Sequence, residues 1–438
     1  MRTRTLHLLL AAGLFPALAA ATPAAYDPAA PVPPPAYSAL PATLPGATMG
    51  EEDWRQSNDT VGAFTRGHMD VLRWEADNLP AAEPVSPPSG EPLTPAEALR
   101  MALGKRPDLF ATETMGALER AEADIAVIEF SREVHRAWIQ AVAAEQGLRR
   151  TEQAFEATDL SNELAVRMTR VGNWGQDRLL KQQLALSDAA IQLAQARQAA
   201  ASAREALIRK LGLWGDATAL HLPDTLPALP DSPLEADALE ALALERHPRL
   251  ALAVRDAEWA RRGLSAASLE TWQAAAREAL SVTLPEDTDS DDPMGQLITR
   301  APVLEQRRLP ARHETGEALR ARAEAHALAV RIRSQVREAY HQYRVAYDIA
   351  RLAGENARLS EAIQEETLLR YNGMLKSTWD LLASARDRVE RSDAALQALR
   401  DFWLAHANLQ AVLAGADYAG ADGSSLGAAS NSKAAGGH

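Results

Sequence analysis

The sequence predicts an all-α fold of two tandem long antiparallel helical hairpins, with at most one short strand hairpin. Three observations predict it. Ala, Leu, Arg and Glu dominate while aromatics make up 5% of the chain, a composition of long helices rather than of a sandwich. Two pieces of sequence recur: Arg106-Pro107-Asp108-Leu109 beside His247-Pro248-Arg249-Leu250, and Val134, Ala137 and Trp138 beside Val336, Ala339 and Tyr340. The offset is 141 at the first pair (250 − 109) and 202 at the second (336 − 134), so the second copy carries a 61-residue block that the first lacks. Finally, apolar residues follow the alternating three-and-four spacing of a coiled coil.

Residues 1–21 read as a secretory signal: Arg2 and Arg4, then an apolar run from Leu8 to Ala21 that ends in small residues. Residues 22–92 are a leader. It opens Ala/Pro-rich around Pro33-Pro34-Pro35, offers one or two short helices around Trp54, Val61, Phe64, Val71 and Trp74, and ends in a breaker from Pro80 to Pro92.

Repeat one spans 93–233. It opens at Thr94-Pro95-Ala96-Glu97, an N-cap with proline at the first helical position and an acid in the first turn. From about Glu113 to Thr169 only isolated glycines interrupt a helical pattern, and Val134, Trp138, Ala141 and Leu148 form a seam that Glu145 breaks. Gly172-Asn173-Trp174-Gly175 closes the helix. A second helix runs from Asp177 to about Leu211, with Leu180, Leu184 and Ile191 on one face. Pro223, Pro227, Pro230 and Pro233 then make a stiff linker. Repeat two spans 234–415, with a short helix, Leu234–Glu245, and another reaching about Ala275. Its long hairpin has a cleaner seam of Val336, Tyr340, Tyr343, Tyr347 and Ala350, a break at Asn372-Gly373, and a return along Val389, Leu396, Leu399 and Trp403. Residues 416–438 read as a disordered Gly/Ala/Ser-rich tail. Long hairpins of this kind expose a second flank. Either the two pack as a monomeric bundle or identical subunits complete a ring, and periodicity leaves both open.

Composition removes several functions. The chain has no cysteine, so disulfides, thiolate metal sites and cysteine nucleophiles are excluded. Its net charge of −13 disfavours nucleic acid as a partner. The 10 histidines are scattered without paired ligand spacing, so neither a metal site nor any other cofactor is expected. No polar cluster suggests catalysis. The acidic run from Glu286 to Asp292 lacks the glycine and glutamate of a calcium loop and reads as solvated.

The hairpin tips carry the most specific signal: Arg170-Val171-Gly172-Asn173-Trp174 before Asp177-Arg178-Leu179-Leu180, and Arg370-Tyr371-Asn372-Gly373-Met374-Leu375 before Trp379-Asp380-Leu381-Leu382. With the order of parts, these tips make residues 93–415 resemble the TolC family of outer-membrane efflux channels. The resemblance implies a homotrimer, a periplasmic adaptor and inner-membrane pump as partners, and an outer-membrane or periplasmic location. It also implies that Gly172, Trp174, Gly373, Met374 and Leu375 are adaptor-docking tips, and that Asp380 belongs to an acidic entrance ring. Ala383 stands where the family carries a second aspartate. Physical chemistry gives these residues simpler uses as well. Gly172 and Gly373 suit a tight turn with positive φ, and Asp380 complements a helix dipole.

The membrane end departs from the family. The 25 residues from Leu109 to Val134 read as helix, and the extra block of repeat two holds at best one strand pair, Ala279–Leu284 and Gln296–Leu304. Three copies then give six strands, fewer than the ~8 of the smallest bacterial barrels. Segments such as Trp54-Arg55-Gln56-Ser57-Asn58-Asp59 and Gly67-His68-Met69 resemble leaders of periplasmic heavy-metal resistance proteins, which implies metal cations as cargo. A periplasmic coiled-coil scaffold without channel activity is the alternative.

Overall fold

The structure, a computed structural model, describes residues 91–262, part of 264–277, and 313–420. The signal, the leader, the strand pair, the acidic run and residues 421–438 of the tail lie outside the described residues. Within them every regular element is helical. Seven α-helices follow in order: α1 (Pro95–Gly104), α2 (Ala117–Arg170), α3 (Gln176–Leu211), α4 (Leu239–Arg246), α5 (Pro248–Arg261), α6 (His313–Asn372) and α7 (Thr378–Ala414). Helices α2 and α6, of 54 and 60 residues, are about 80 and 90 Å long at the usual rise.

Each begins and ends for local reasons. The expected cap at Thr94 is a full capping box: its side chain accepts from the Glu97 backbone, and Glu97 accepts in return from the Thr94 backbone. Helix α2 starts later than expected, at Ala117. The Gly116 N–H donates to Glu119 at 2.7 Å, and residues 110–116 form a non-helical entry. The second Pro motif caps α5, with His247 as N-cap, Pro248 in the first turn and Leu250 buried.

Helices α2 and α3 pack as one antiparallel hairpin and α6 and α7 as the other, joined where α7 lies on α2. The helix order is therefore α3–α2–α7–α6. In α3 the packing face is not Leu180, Leu184 and Ile191, which turn outward. It is a seven-residue repeat of Leu179, Leu186, Leu193, Ala200 and Leu207, every member buried. In the second hairpin Val336, Tyr343, Tyr347 and Ala350 are buried as their spacing predicts. They close on Phe402, which is fully buried and touches Tyr343, Tyr347, Trp403 and His406.

The proline-rich linker is a belt across both hairpins. Leu222 and Leu226 are buried against the first hairpin, and the Leu226 N–H donates to Gln146 of α2. Farther on, Trp403 donates to the Pro227 carbonyl, Tyr347 to Pro230 and Asp231, and Tyr340 to Leu234, while Tyr343 accepts from the Leu234 N–H. Prolines lack N–H groups but keep carbonyls, so the ring donors of the seam give the belt its register.

His135 of α2 and His406 of α7 meet at the junction of the hairpins. Burial lowers the pKa of both imidazoles, and the charge of His135 lowers that of His406 further. Around His406 stand Tyr343 and Trp403, with ring centroids at 5.9 and 5.4 Å. A histidine whose folded pKa lies below its unfolded value contributes stability that is complete above the unfolded pKa and lost as pH falls through it. Thermal stability should therefore fall between about pH 7.5 and 5.5, above the carboxylate range. A melting series in which His406→Phe removes part of that fall checks this; an unchanged pH slope contradicts it.

Candidate functional site

Both hairpins end at one pole, and the same turn chemistry closes them. After α2 the Asn173 N–H donates to the Met168 carbonyl and the Gly172 N–H to Thr169, both at 3.0 Å. After α6 the Leu375 N–H donates to Arg370 at 2.8 Å and the Met374 N–H to Tyr371 at 2.9 Å. Each is a pair of 6→1 and 5→2 bonds that satisfies the last helical carbonyls, and each needs a left-handed residue at its second-last position. In the first tip that residue is Gly172, at φ 78°. In the second it is Met374, at φ 57°, and not Gly373 as the sequence predicts. The Asn-Gly pair draws attention one residue too early, because the structural offset between the tips is 202 (374 − 172), as it is at the start of the following helices.

The consequences for substitution are distinct. Gly172→Val should destabilise, since a β-branched residue there is strained. Gly373→Ala should be tolerated, because its Cβ would meet nothing closer than 3.6 Å. Met374→Gly should raise stability by about 1 kcal/mol. Denaturant melts of the three variants check the order, and a Gly373→Ala variant less stable than Gly172→Val would refute this assignment.

Met374 and Leu375 project from the second tip, 94% and 78% exposed. A strained, solvent-facing methionine has no use in folding. Val171, Leu368, Leu369 and Tyr371 extend the apolar surface around them. Trp174 behaves otherwise. It is half-buried and stacks on Trp379 at 5.1 Å with planes 10° apart, tying the two tips together. Unlike Met374 and Leu375 it does not stand free on solvent, since its partner comes from the other repeat.

Asp380 lies at the third position of α7 in a capping box. Its carboxylate accepts from the Ser377 N–H at 2.9 Å and the Ser377 hydroxyl at 2.8 Å, and Lys376 approaches to 3.6 Å. The Ser377 backbone and hydroxyl bonds, then Lys376, hold its pKa below the usual carboxylate range. It is therefore a fixed negative charge at the tip.

The other notable surface is the pair of outer flanks. On α3, Leu180, Leu184 and Ile191 are 55, 63 and 53% exposed. On α6, Val345, Ile349, Leu352, Leu359 and Ile363 are all exposed, and Val345 and Ile349 also line a cavity whose other wall includes Ala398, Leu404 and Ala405 of α7. Their spacings of four, three, seven and four are those of a coiled-coil seam. The sequence carries that second stripe on α6 beside the aromatic seam, and periodicity alone does not rank the two. Among the described residues no cluster of metal-ligating side chains exists, and no helix is long and apolar enough to cross a membrane.

No family model matches the sequence, and no characterised protein matches it at sequence level. The fold is similar to three solved bacterial proteins. These are the Campylobacter jejuni CmeC outer membrane channel (11% identity, 68% of this chain and 65% of that one, TM-score 0.47), the Vibrio cholerae outer membrane protein VceC (12%, 74% and 75%, 0.47) and the Neisseria gonorrhoeae MtrE outer membrane channel (17%, 73% and 71%, 0.43). The chain thus spans just under two thirds of the Campylobacter protein.

Proposed function

We propose that this protein is the helical duct of an efflux assembly, a homotrimer at the outer membrane or in the periplasm. It docks a periplasmic adaptor through its tips and passes substrate, heavy-metal cations in our reading, without a chemical step. The observation that carries the reading is the open helix array with an apolar coiled-coil seam on each free edge. The edges are different helices, α3 and α6, so one edge of a copy pairs with the other edge of the next. Such a head-to-tail contact generates a closed ring when its rotation closes. Three copies supply twelve long helices. Exposed leucines and isoleucines that a monomer leaves in water become its subunit interfaces.

Within that ring, Met374 and Leu375 are the apolar knob that a partner's helices receive, with Gly172 and Met374 as the left-handed residues of the two turns and Gly373 beside the knob. Trp174 keeps the two tips side by side by its stack with Trp379. Three copies of Asp380 at the pole favour cations over anions. Leu375→Ala should leave stability within about 0.5 kcal/mol yet cost about 2 kcal/mol or more of adaptor binding. Trp174→Ala should cost about 0.5–1.5 kcal/mol of stability from the lost ring pair. Pull-down of the adaptor and growth of a deletion strain on copper, silver, zinc and cobalt beside organic drugs test the reading. Undiminished capture by Leu375→Ala removes the knob, and sensitivity confined to organic drugs removes the metal assignment.

A further inference from the structure

A cavity of about 530 Å³ opens where α2, α3 and α7 meet, in the tip half of the hairpins. Its volume suits a small ligand, and its wall holds a polar group that folding leaves unused. Gln182 of α3 lines it and is 2% exposed. The Gln182 Oε1 accepts from Arg386 of α7 at 3.5 Å, but its Nε2 has no hydrogen-bond partner. A buried amide donor left unpaired costs desolvation energy that a ligand's acceptor recovers. Arg386 also lines the cavity, so two donors stand together.

Each of these helices carries an acid on the same cavity, farther from the tip than its donor. Asp188 lies six residues beyond Gln182 on α3 (188 − 182), and Asp393 seven beyond Arg386 on α7 (393 − 386), about 9 and 10.5 Å at the helical rise. Glu390 lies between Arg386 and Asp393. Among the described residues Arg386, Asp188 and Glu390 form no ion pair. The cation that acts on Asp393 is Arg150, which does not line the cavity. On the α2 wall the Thr158 and Ser161 hydroxyls donate to the Ala154 and Ala157 carbonyls of their own helix, both at 2.8 Å. Their oxygens keep lone pairs that can accept a ligand's N–H.

We propose that this cavity binds a zwitterionic short peptide, its carboxylate on Gln182 and Arg386 and its ammonium among Asp188, Glu390 and Asp393. Donors and acids separated by about 9–10 Å along each helix are too far apart for one α-amino acid, whereas three extended residues reach about 10 Å. A simple polyamine would meet the acids but leave Gln182 unpaired. An inorganic anion would meet the donors but bring no cation to the three carboxylates. A peptide supplies both charges, and its own N–H groups match the hydroxyl oxygens of Thr158 and Ser161. The site lies within one chain, so it goes beyond the duct reading and stands whether or not the copies assemble.

Isothermal titration calorimetry of the mature wild-type protein with trialanine tests the proposal. Saturable binding with a Kd below about 1 mM is expected. N-acetyl-trialanine lacks the ammonium and trialanine amide lacks the carboxylate, and each should bind at least about tenfold more weakly. An ω-amino acid of equal length keeps both charges without the peptide groups and should also bind more weakly. Gln182→Leu should weaken trialanine binding about tenfold and melt no earlier than the wild type, because it removes an unpaired donor. Absence of saturable binding overturns the proposal, as does equal binding of either capped peptide or of the ω-amino acid. Wild-type affinity in Gln182→Leu overturns it as well, in a monomer or a trimer alike.

Discussion

Leu184→Asp or Ile363→Asp should convert the assembled protein into monomers. Leu184 is 63% exposed on the free flank of α3 and Ile363 60% exposed on the free flank of α6, so neither carboxylate harms the isolated chain. In a ring each would be buried at every subunit contact against an apolar seam. An unpaired buried carboxylate costs several kcal/mol, and the ring repeats the cost at each interface. The melting temperature of the monomer should stay within a few degrees of the value the wild type shows on dilution. Sedimentation velocity checks both variants. If either one assembles as the wild type does, the flank that carries it is not an interface.

Phe402→Ala should be the most damaging single truncation of the fold, at about 3–5 kcal/mol. Its ring is fully buried and touches four other rings, from α6 and from α7 itself. Trp403, one of those partners, also holds the Pro227 carbonyl of the belt. Loss of Phe402 therefore loosens the α6–α7 pairing and the register of the belt together. Urea unfolding of the monomeric Ile363→Asp background isolates the effect from assembly. A cost below about 1.5 kcal/mol, the range of volume-conserving swaps, contradicts this central place.

The duplication and the helix periods made most of this fold legible before any coordinates. Val336, Tyr343 and Tyr347 are buried where their spacing places them, and Thr94 caps the helix that its box announces. Periodicity marks a stripe but not which neighbour covers it. Leu180, Leu184 and Ile191 are a genuine face of α3, yet Leu179, Leu186 and Leu193 pack the hairpin and leave that face free. The tips were legible as turns, and the polarity of the turn was not. Glycine is the usual left-handed residue, and a methionine at φ 57° beside it follows no propensity. Nor does one repeat read alone reveal Trp379 as the partner of Trp174, since that stack joins residues 205 positions apart (379 − 174). Asp380 is legible in its local use, the capping box, whereas a ring of its charges would exist only in an assembly.

The central claim is that the two apolar edges close on further copies of the same chain. Mass photometry of the mature wild-type protein, from nanomolar to micromolar concentration, addresses it without a substitution, an adaptor or a membrane. The account predicts a species of three chains that dominates at micromolar concentration and dissociates on dilution without passing through higher assemblies. A strict monomer across that range, with Leu184 and Ile363 still facing water, would contradict it.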